Sequence, residues 1–276
     1  MDINLFYIFI LICTGVAVGF TTGLLGIGGG FLMVPILYFL FLNLGIEPTL
    51  AIRTAFGTSL AIIIPTAISS AIAHNREKQV EVKASLYIGG AGFTGALLGG
   101  YIASNTPGDI LRVIFALVLL IVALRMFLFK EKETSVNKKE SVLIFLVIGF
   151  ITGIMSGLVG VGGGIILIPA LIFLLGYGIR YAGGTSSAVI ILTSLGGIIS
   201  YIINGISVTG LPAYSLGYVN VLALFVIAVF SIPMAQIGSI VSRKVPENIL
   251  RYIFIVVMVF ISLQMLGVFK WLGISI

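Results

Sequence analysis

Long apolar runs separated by short polar links occupy almost the whole chain. They fall at 5–25, 30–44, 54–73, 85–104 and 110–129, and again at 141–159, 164–177, 183–203, 217–241 and 249–270. A helix needs roughly 20 apolar residues to cross about 30 Å of hydrocarbon. Several of these runs are that long. The pattern predicts an all-α polytopic membrane protein with about ten membrane segments, five in each half. The runs 30–44 and 164–177 are shorter, and whether they span fully or re-enter is left open by length alone.

Composition supports the lipid reading. Hydrophobic residues make up 59% of the 276-residue chain and charged ones 9%, too few to build a water-exposed surface. The net charge of +6 does not indicate nucleic acid, because the basic residues are scattered through the links instead of forming a patch or stripe. Met-Asp-Ile-Asn precedes the first run without a basic residue, so that run reads as a retained helix and not as a leader. Cys13 stands alone, which excludes an internal disulfide.

An internal repeat is written in the glycines. Gly15-x3-Gly19-x3-Gly23-x2-Gly26-x-Gly28-Gly29-Gly30-x4-Pro35 returns as Gly149-x3-Gly153-x3-Gly157-x2-Gly160-x-Gly162-Gly163-Gly164-x4-Pro169, displaced by 134 positions (149 − 15). Downstream, Arg53-x3-Gly57-Thr58-Ser59 returns as Arg180-x3-Gly184-Thr185-Ser186, displaced by 127 (180 − 53). Pro107-x2-Ile110-Leu111-Arg112 returns as Pro246-x2-Ile249-Leu250-Arg251. The expected organisation is a first repeat over 1–130, a cytoplasmic linker over 131–140 and a second repeat over 141–276.

An odd number of segments per half predicts that the halves are inserted upside down relative to one another. The charges agree. Link 74–84 carries Arg76, Lys78 and Lys83, whereas its counterpart 204–216 carries none; link 104–109 has no Lys or Arg, whereas its counterpart has Arg243 and Lys244. By the positive-inside rule both termini lie outside, and the expected location is a bacterial inner (plasma) membrane.

The glycines divide into two kinds. Gly15, Gly19 and Gly23, like Gly149, Gly153 and Gly157, have the spacing that lets helices approach closely, and packing is their better reading. The tighter clusters, Gly26–Gly30 and Gly160–Gly164, are poor helix formers at about 1 kcal/mol per glycine relative to alanine. They predict breaks that lipid does not tolerate unless protein or a water-filled cavity covers them. A helix starting at such a break presents free N–H groups and a partial positive charge, an arrangement suited to an anion. Gly28, Gly29 and Gly30 with Gly162, Gly163 and Gly164 are therefore candidate substrate-binding positions. A phosphate loop is excluded, since no Lys-Ser/Thr follows the glycines.

All nine carboxylates fall in termini or links, and none in the middle of an apolar run. Proton pumps, sodium-coupled carriers and cation channels commonly place carboxylates near midplane, so a cation is disfavoured as main substrate. What lies nearest the membrane is basic and hydroxylic. Thr58, Ser59, Thr185 and Ser186 are candidate anion ligands, and Arg53 and Arg180 candidate gates or anion attractors. The bland alternative is that the arginines snorkel while the hydroxyls bond back to their own helices. With one His, one Cys and no intramembrane carboxylate, neither a metal site nor a familiar catalytic triad assembles; no enzyme is expected, and no cofactor. His74 reads as an interfacial residue, and surplus glycines such as Gly92, Gly95 and Gly99 suggest a surface for a homodimer.

The doubled Gly-x2-Gly-x-Gly-Gly-Gly-x4-Pro element, each copy followed by Gly-Thr-Ser, resembles the sulfite exporter TauE/SafE family of membrane permeases over essentially the whole chain. The resemblance implies transport of sulfite, sulfonates or related organic anions. It also implies that Gly26–Pro35 and Gly160–Pro169 line the central site. It does not choose among sulfite, sulfoacetate, taurine-derived products and carboxylates. The expectation is a secondary transporter, an exporter of a small sulfur-containing anion such as sulfite or an organosulfonate, working by alternating access. An anion channel or a carrier for small carboxylates remains the alternative.

Overall fold

The computed structural model describes residues 5–25, 29–128, 141–242 and 247–271. Its helices are α1 Leu5–Leu25, α2 Gly30–Asn43, α3 Pro48–Arg76, α4 Val82–Asn105, α5 Gly108–Leu128, α6 Val142–Val159, α7 Gly164–Phe173 and α8 Ile179–Gly205. A short hairpin of β1 Ser215–Leu216 and β2 Val219–Asn220 precedes α9 Val221–Ser242, α10 Glu247–Met265 and α11 Val268–Trp271. Among the described residues, six helices are long and apolar enough to cross a membrane: 48–76, 82–105, 108–128, 142–159, 181–205 and 221–238. The protein is an all-α polytopic membrane protein.

Of the boundaries that differ from the pattern of apolar runs, three have a clear local reason. α3 starts at Pro48 instead of 54, because proline suits a first helical position and the Glu47 carboxylate accepts the Leu50 N–H at 3.0 Å. Slight burial works to raise that carboxyl, but hydrogen bonds from Thr49 and Leu50 and the charge of Arg53 hold it below the usual carboxylate range. α7 stops at Phe173, short of 177, where Gly176 takes a positive φ of 70° and the Tyr177 N–H turns back to the Leu171 carbonyl at 3.0 Å. The run beginning at 217 opens with the hairpin, and α9 starts only after Asn220, whose Oδ1 accepts the Ala223 N–H at 2.8 Å as an N-cap.

Close backbone contact organises the bundle. A Cβ built at Gly149, Gly153 or Gly157 of α6 would overlap the carbonyl oxygens of Ile88, Gly92 or Ala96 of α4, and Gly95 and Gly99 of α4 meet the carbonyls of Phe150 and Ile154 in return. The rising numbers on both sides make α4 and α6 parallel. Gly15 and Gly19 set α1 on α9 in the same way, against the carbonyls of Ile227 and Ser231. The stripe Gly92, Gly95 and Gly99 is thus filled from within the chain, and any second copy has to dock elsewhere.

α3 and α8 lie at the centre: 61% and 56% of their apolar windows are buried, against 22–44% for the other four spanning helices. They run antiparallel, since Gly57 meets Tyr201, Gly197 meets Leu60 and Gly184 meets His74. α5 and α10 are antiparallel too, with Arg112 near the start of one donating to the Met265 carbonyl at the end of the other at 2.8 Å. The outer faces, for example Leu117, Ile121 and Leu124 of α5, are apolar and exposed, as a lipid contact requires.

Candidate functional site

The two Gly-Thr-Ser triplets do the same local work. Gly57 lets the Tyr218 carbonyl approach so closely that a Cβ would overlap it, and the Thr58 hydroxyl accepts the buried Asn220 N–H at 2.8 Å. In the other half Gly184 receives the Gln79 carbonyl, with a Cβ there 2.6 Å away, and the Thr185 hydroxyl accepts the Glu81 N–H at 3.1 Å. Each Gly-Thr pair therefore pins the residues leading into a helix, α9 in one case and α4 in the other. The serines are left over. Ser59 and Ser186 are 0% and 1% exposed, and neither Oγ has a hydrogen-bond partner. A buried hydroxyl left unpaired costs about 1–3 kcal/mol.

The glycine clusters meet Ser59 and Ser194, whereas Ser186 lies toward the His74 end of α8, next to the Ser70–Ser187 contact. Gly29 begins α2, donating its N–H to Thr22 Oγ1 at 2.8 Å while its carbonyl accepts from Leu32 and Met33. A Cβ at Gly30 would lie 2.8 Å from Ile63 Cδ1, 3.0 Å from Val161 Cα and 3.3 Å from Ser59 Oγ. Gly162 and Gly163 adopt φ of 76° and 82°, which only glycine takes without strain, and the Gly163 carbonyl accepts from Ile166 and Leu167 to start α7 at Gly164. The Gly162 carbonyl accepts from Thr193 Oγ1 at 3.0 Å, and its α-carbon faces Ser194, whose Oγ is also buried and unpaired. Ser156, beside Gly163, is a further unpaired hydroxyl. Gly30, Ser59 and the 161–163 turn are thus brought together. Gly28 lies outside the described residues.

Immediately next to this cluster is a cavity of about 230 Å³ among α1, α3, α8 and α9. Ile63 and Ile190 stand between the two, lining the cavity on one side and touching Gly30 and Gly162 on the other. They are counterparts in the repeat, since 190 − 63 is the same 127 that relates the triplets. The walls beyond them carry hydroxyls and one ionisable side chain, His74, with no carboxylate.

At the opposite end of α3, about 15 Å from Ile63 at 1.5 Å per residue, the structure is closed. Arg53 donates to Tyr218 Oη at 3.1 Å and to the Thr106 carbonyl at 3.0 Å, with its guanidinium 5.8 Å from the Tyr218 ring centre. Tyr201 packs edge-on to Tyr218 and donates to the Gly157 carbonyl at 2.8 Å. Arg53 is therefore a tie at this end, about 9 Å along α3 from Ser59. The side chain of Arg180 lies outside the described residues. Among the described residues, no group of three His, Cys, Asp or Glu could hold a metal ion.

The inner pair Ile63 and Ile190, the serines Ser156 and Ser194, and the tie formed by Tyr218 and Asn220 were not singled out from the sequence. The 127-residue interval was the available signal for Ile63 and Ile190. Nothing in a single chain marks Tyr218 or Asn220, which act across 165 and 162 positions.

A bundle of membrane-crossing helices around a largely apolar cavity, with the buried, unpaired Ser59 hydroxyl behind Ile63, has the build of a membrane transporter. Residues 11–265 match the family described as Sulfite exporter TauE/SafE, and the chain belongs to that family. It is 34% identical over 243 residues to a probable membrane transporter protein of Methanocaldococcus jannaschii, covering 88% of this chain and 89% of that one. It is 30% identical to a probable membrane transporter protein of Haemophilus influenzae (94% and 98% covered) and 27% identical to the probable membrane transporter protein YunE of Bacillus subtilis (95% and 98%). These are transporters by description, not enzymes. No solved structure matches the chain.

Proposed function

We propose that the protein is a secondary transporter, working as an exporter, of a small sulfur-containing anion such as sulfite or an organosulfonate, and that it works by alternating access. The observation that carries this reading is the buried, unpartnered Ser59 Oγ beside the first residue of α2, one isoleucine away from an open cavity. An oxyanion seated there would take hydroxyl protons from Ser59 and Ser194 and N–H groups from helix starts, whose first turn has no intrahelical acceptor. The cavity walls carry no carboxylate to repel it. The family description favours sulfite and its relatives as the substrate class.

Inverted repeats over 1–130 and 141–276 accord with the packing. Counterpart helices α3 and α8 run antiparallel, and the parallel pair α1 and α9 has α6 and α4 as its counterpart. We place the 74–84 link and the 131–140 linker in the cytoplasm, with both termini outside, on the strength of Arg76, Lys78 and Lys83. The cavity, which reaches His74, then opens to the cytoplasm, and the Arg53–Tyr218 tie closes the outer side. Rocking one half against the other would exchange these two ends.

Ligand-induced thermal stabilisation of the purified protein tests the reading, with sulfite, sulfoacetate, isethionate, sulfate and acetate, and sodium and potassium as controls. A sulfur anion should raise the unfolding temperature, and Ser59→Ala with Ser186→Ala should remove the rise. A response to cations alone would overturn it.

A further inference from the structure

We propose that His74 is a proton-dependent anion-binding residue on the cavity wall, so that the transported anion is bound and released together with a proton. The inference rests on the anion-transport reading above and adds the ion that accompanies the substrate.

The cavity needs a positive charge from somewhere, and its neutral donors are largely committed. Thr22 donates to the Val18 carbonyl at 2.7 Å, Thr66 to the Ile63 carbonyl at 2.8 Å and Ser187 to the Gly183 carbonyl at 2.9 Å. Ser187 has a single proton, so in its 2.9 Å contact with Ser70 it is Ser70 that donates. These hydroxyls turn lone pairs toward an arriving ligand, which suits an anion poorly. Among the described residues lining the cavity, His74 alone is ionisable.

The hydrogen-bond chain behind His74 decides which nitrogen titrates. Glu77 is a carboxylate and accepts only, so the Gln79 group 2.8 Å from it is the amide nitrogen. The Gln79 oxygen then faces His74 Nδ1, also at 2.8 Å, and Nδ1 must carry a proton in both charge states. Nε2, which makes no hydrogen bond, is the atom that changes: a lone pair in the neutral ring, an N–H donor in the cation. The neutral ring repels an oxyanion and the protonated ring attracts one.

The charged groups around the ring are few. Arg76, Glu77 and Lys78 follow it in the turn after α3, Glu81 and Lys83 open α4, and Arg180 stands near the start of α8 at the same end. α1, α8 and α9 contribute Thr22, Ser187 and Gln236 to the wall shared with His74, none of which titrates near neutrality. A proton taken up at Nε2 from the aqueous mouth neutralises the bound anion's charge within the low-dielectric cavity, and its loss once the cavity faces the other side releases the anion there. This supplies a coupling ion to a membrane interior that has no carboxylate to carry one.

The test measures isethionate binding to the full-length protein by thermal stabilisation, because a sulfonate stays ionised throughout and any pH dependence belongs to the protein. Affinity should fall by about tenfold per pH unit once Nε2 has lost its proton. His74→Gln should bind weakly and equally at about pH 5.5 and about pH 8, and His74→Lys, which keeps its charge across that range, should bind equally at both without loss at the higher pH. In proteoliposomes, isethionate efflux by the unaltered protein should move protons in the same direction. Isethionate binding that is abolished by Ser59→Ala yet independent of pH would overturn the role of His74 and leave the anion reading standing. A pH dependence that survives in His74→Gln would do the same. Absence of binding by isethionate and every other sulfur anion at both pH values would overturn both.

Discussion

Removing the Thr58 hydroxyl leaves the buried Asn220 amide without an acceptor, a loss of about 1–3 kcal/mol. Thr58→Val should therefore lower the unfolding midpoint clearly, and Thr185→Val somewhat less, because the Glu81 amide it serves is only part-buried. Ser59→Ala and Ser186→Ala remove buried hydroxyls that bond to nothing, so stability should hold or rise by up to about 1–3 kcal/mol while anion binding is lost. Thermal unfolding of the four variants, with and without sulfite, separates the two behaviours; equal destabilisation by all four would refute the division of labour. The triplets were legible as a repeated motif of small polar residues. Which hydroxyl was spent on structure was not, since the amides that occupy Thr58 and Thr185 come from residues 162 and 104 positions away.

Helices in lipid gain no hydrophobic drive from meeting one another, so close backbone approach has to supply the contact energy. α6 shows how far this goes: a Cβ at Gly153 would overlap the Gly92 carbonyl, and Gly153→Ala should cost about 1–3 kcal/mol by forcing α4 and α6 apart. Gly90 sits in the same α4 with nothing near its missing Cβ, and Gly90→Ala should stabilise by up to about 1 kcal/mol through helix propensity alone. Chemical or thermal denaturation of the pair reads opposite signs if glycine is there for packing in the first case only. Spacing foretold that such glycines pack helices together. Spacing did not say that Gly92, Gly95 and Gly99 face α6 instead of another copy, because the partner of a stripe is chosen by the fold.

At the scale of the molecule the prediction concerns which side the cavity opens to. Cys13 is exposed and must first be replaced, after which a cysteine at the exposed cavity residue Ser69 reports access. A membrane-impermeant maleimide should label Ser69→Cys from the cytoplasmic face and not from the outside, and isethionate should slow the reaction. Labelling from the outside alone would reverse the assigned orientation and with it the side on which His74 meets its proton. The sequence by itself determined the lipid solvent, the glycine-rich motif written twice and apolar runs without carboxylates, since composition, spacing and the placing of charge are properties of the chain read in order. Only the tertiary structure decided that α3 and α8 lie at the centre, that Ile63 and Ile190 stand between a cavity and the Gly30 and Gly162 positions, and that Arg53 is tied to Tyr218. Those contacts join residues more than a hundred positions apart, and no local preference encodes them; they follow from how the backbones fit once the glycines let them touch.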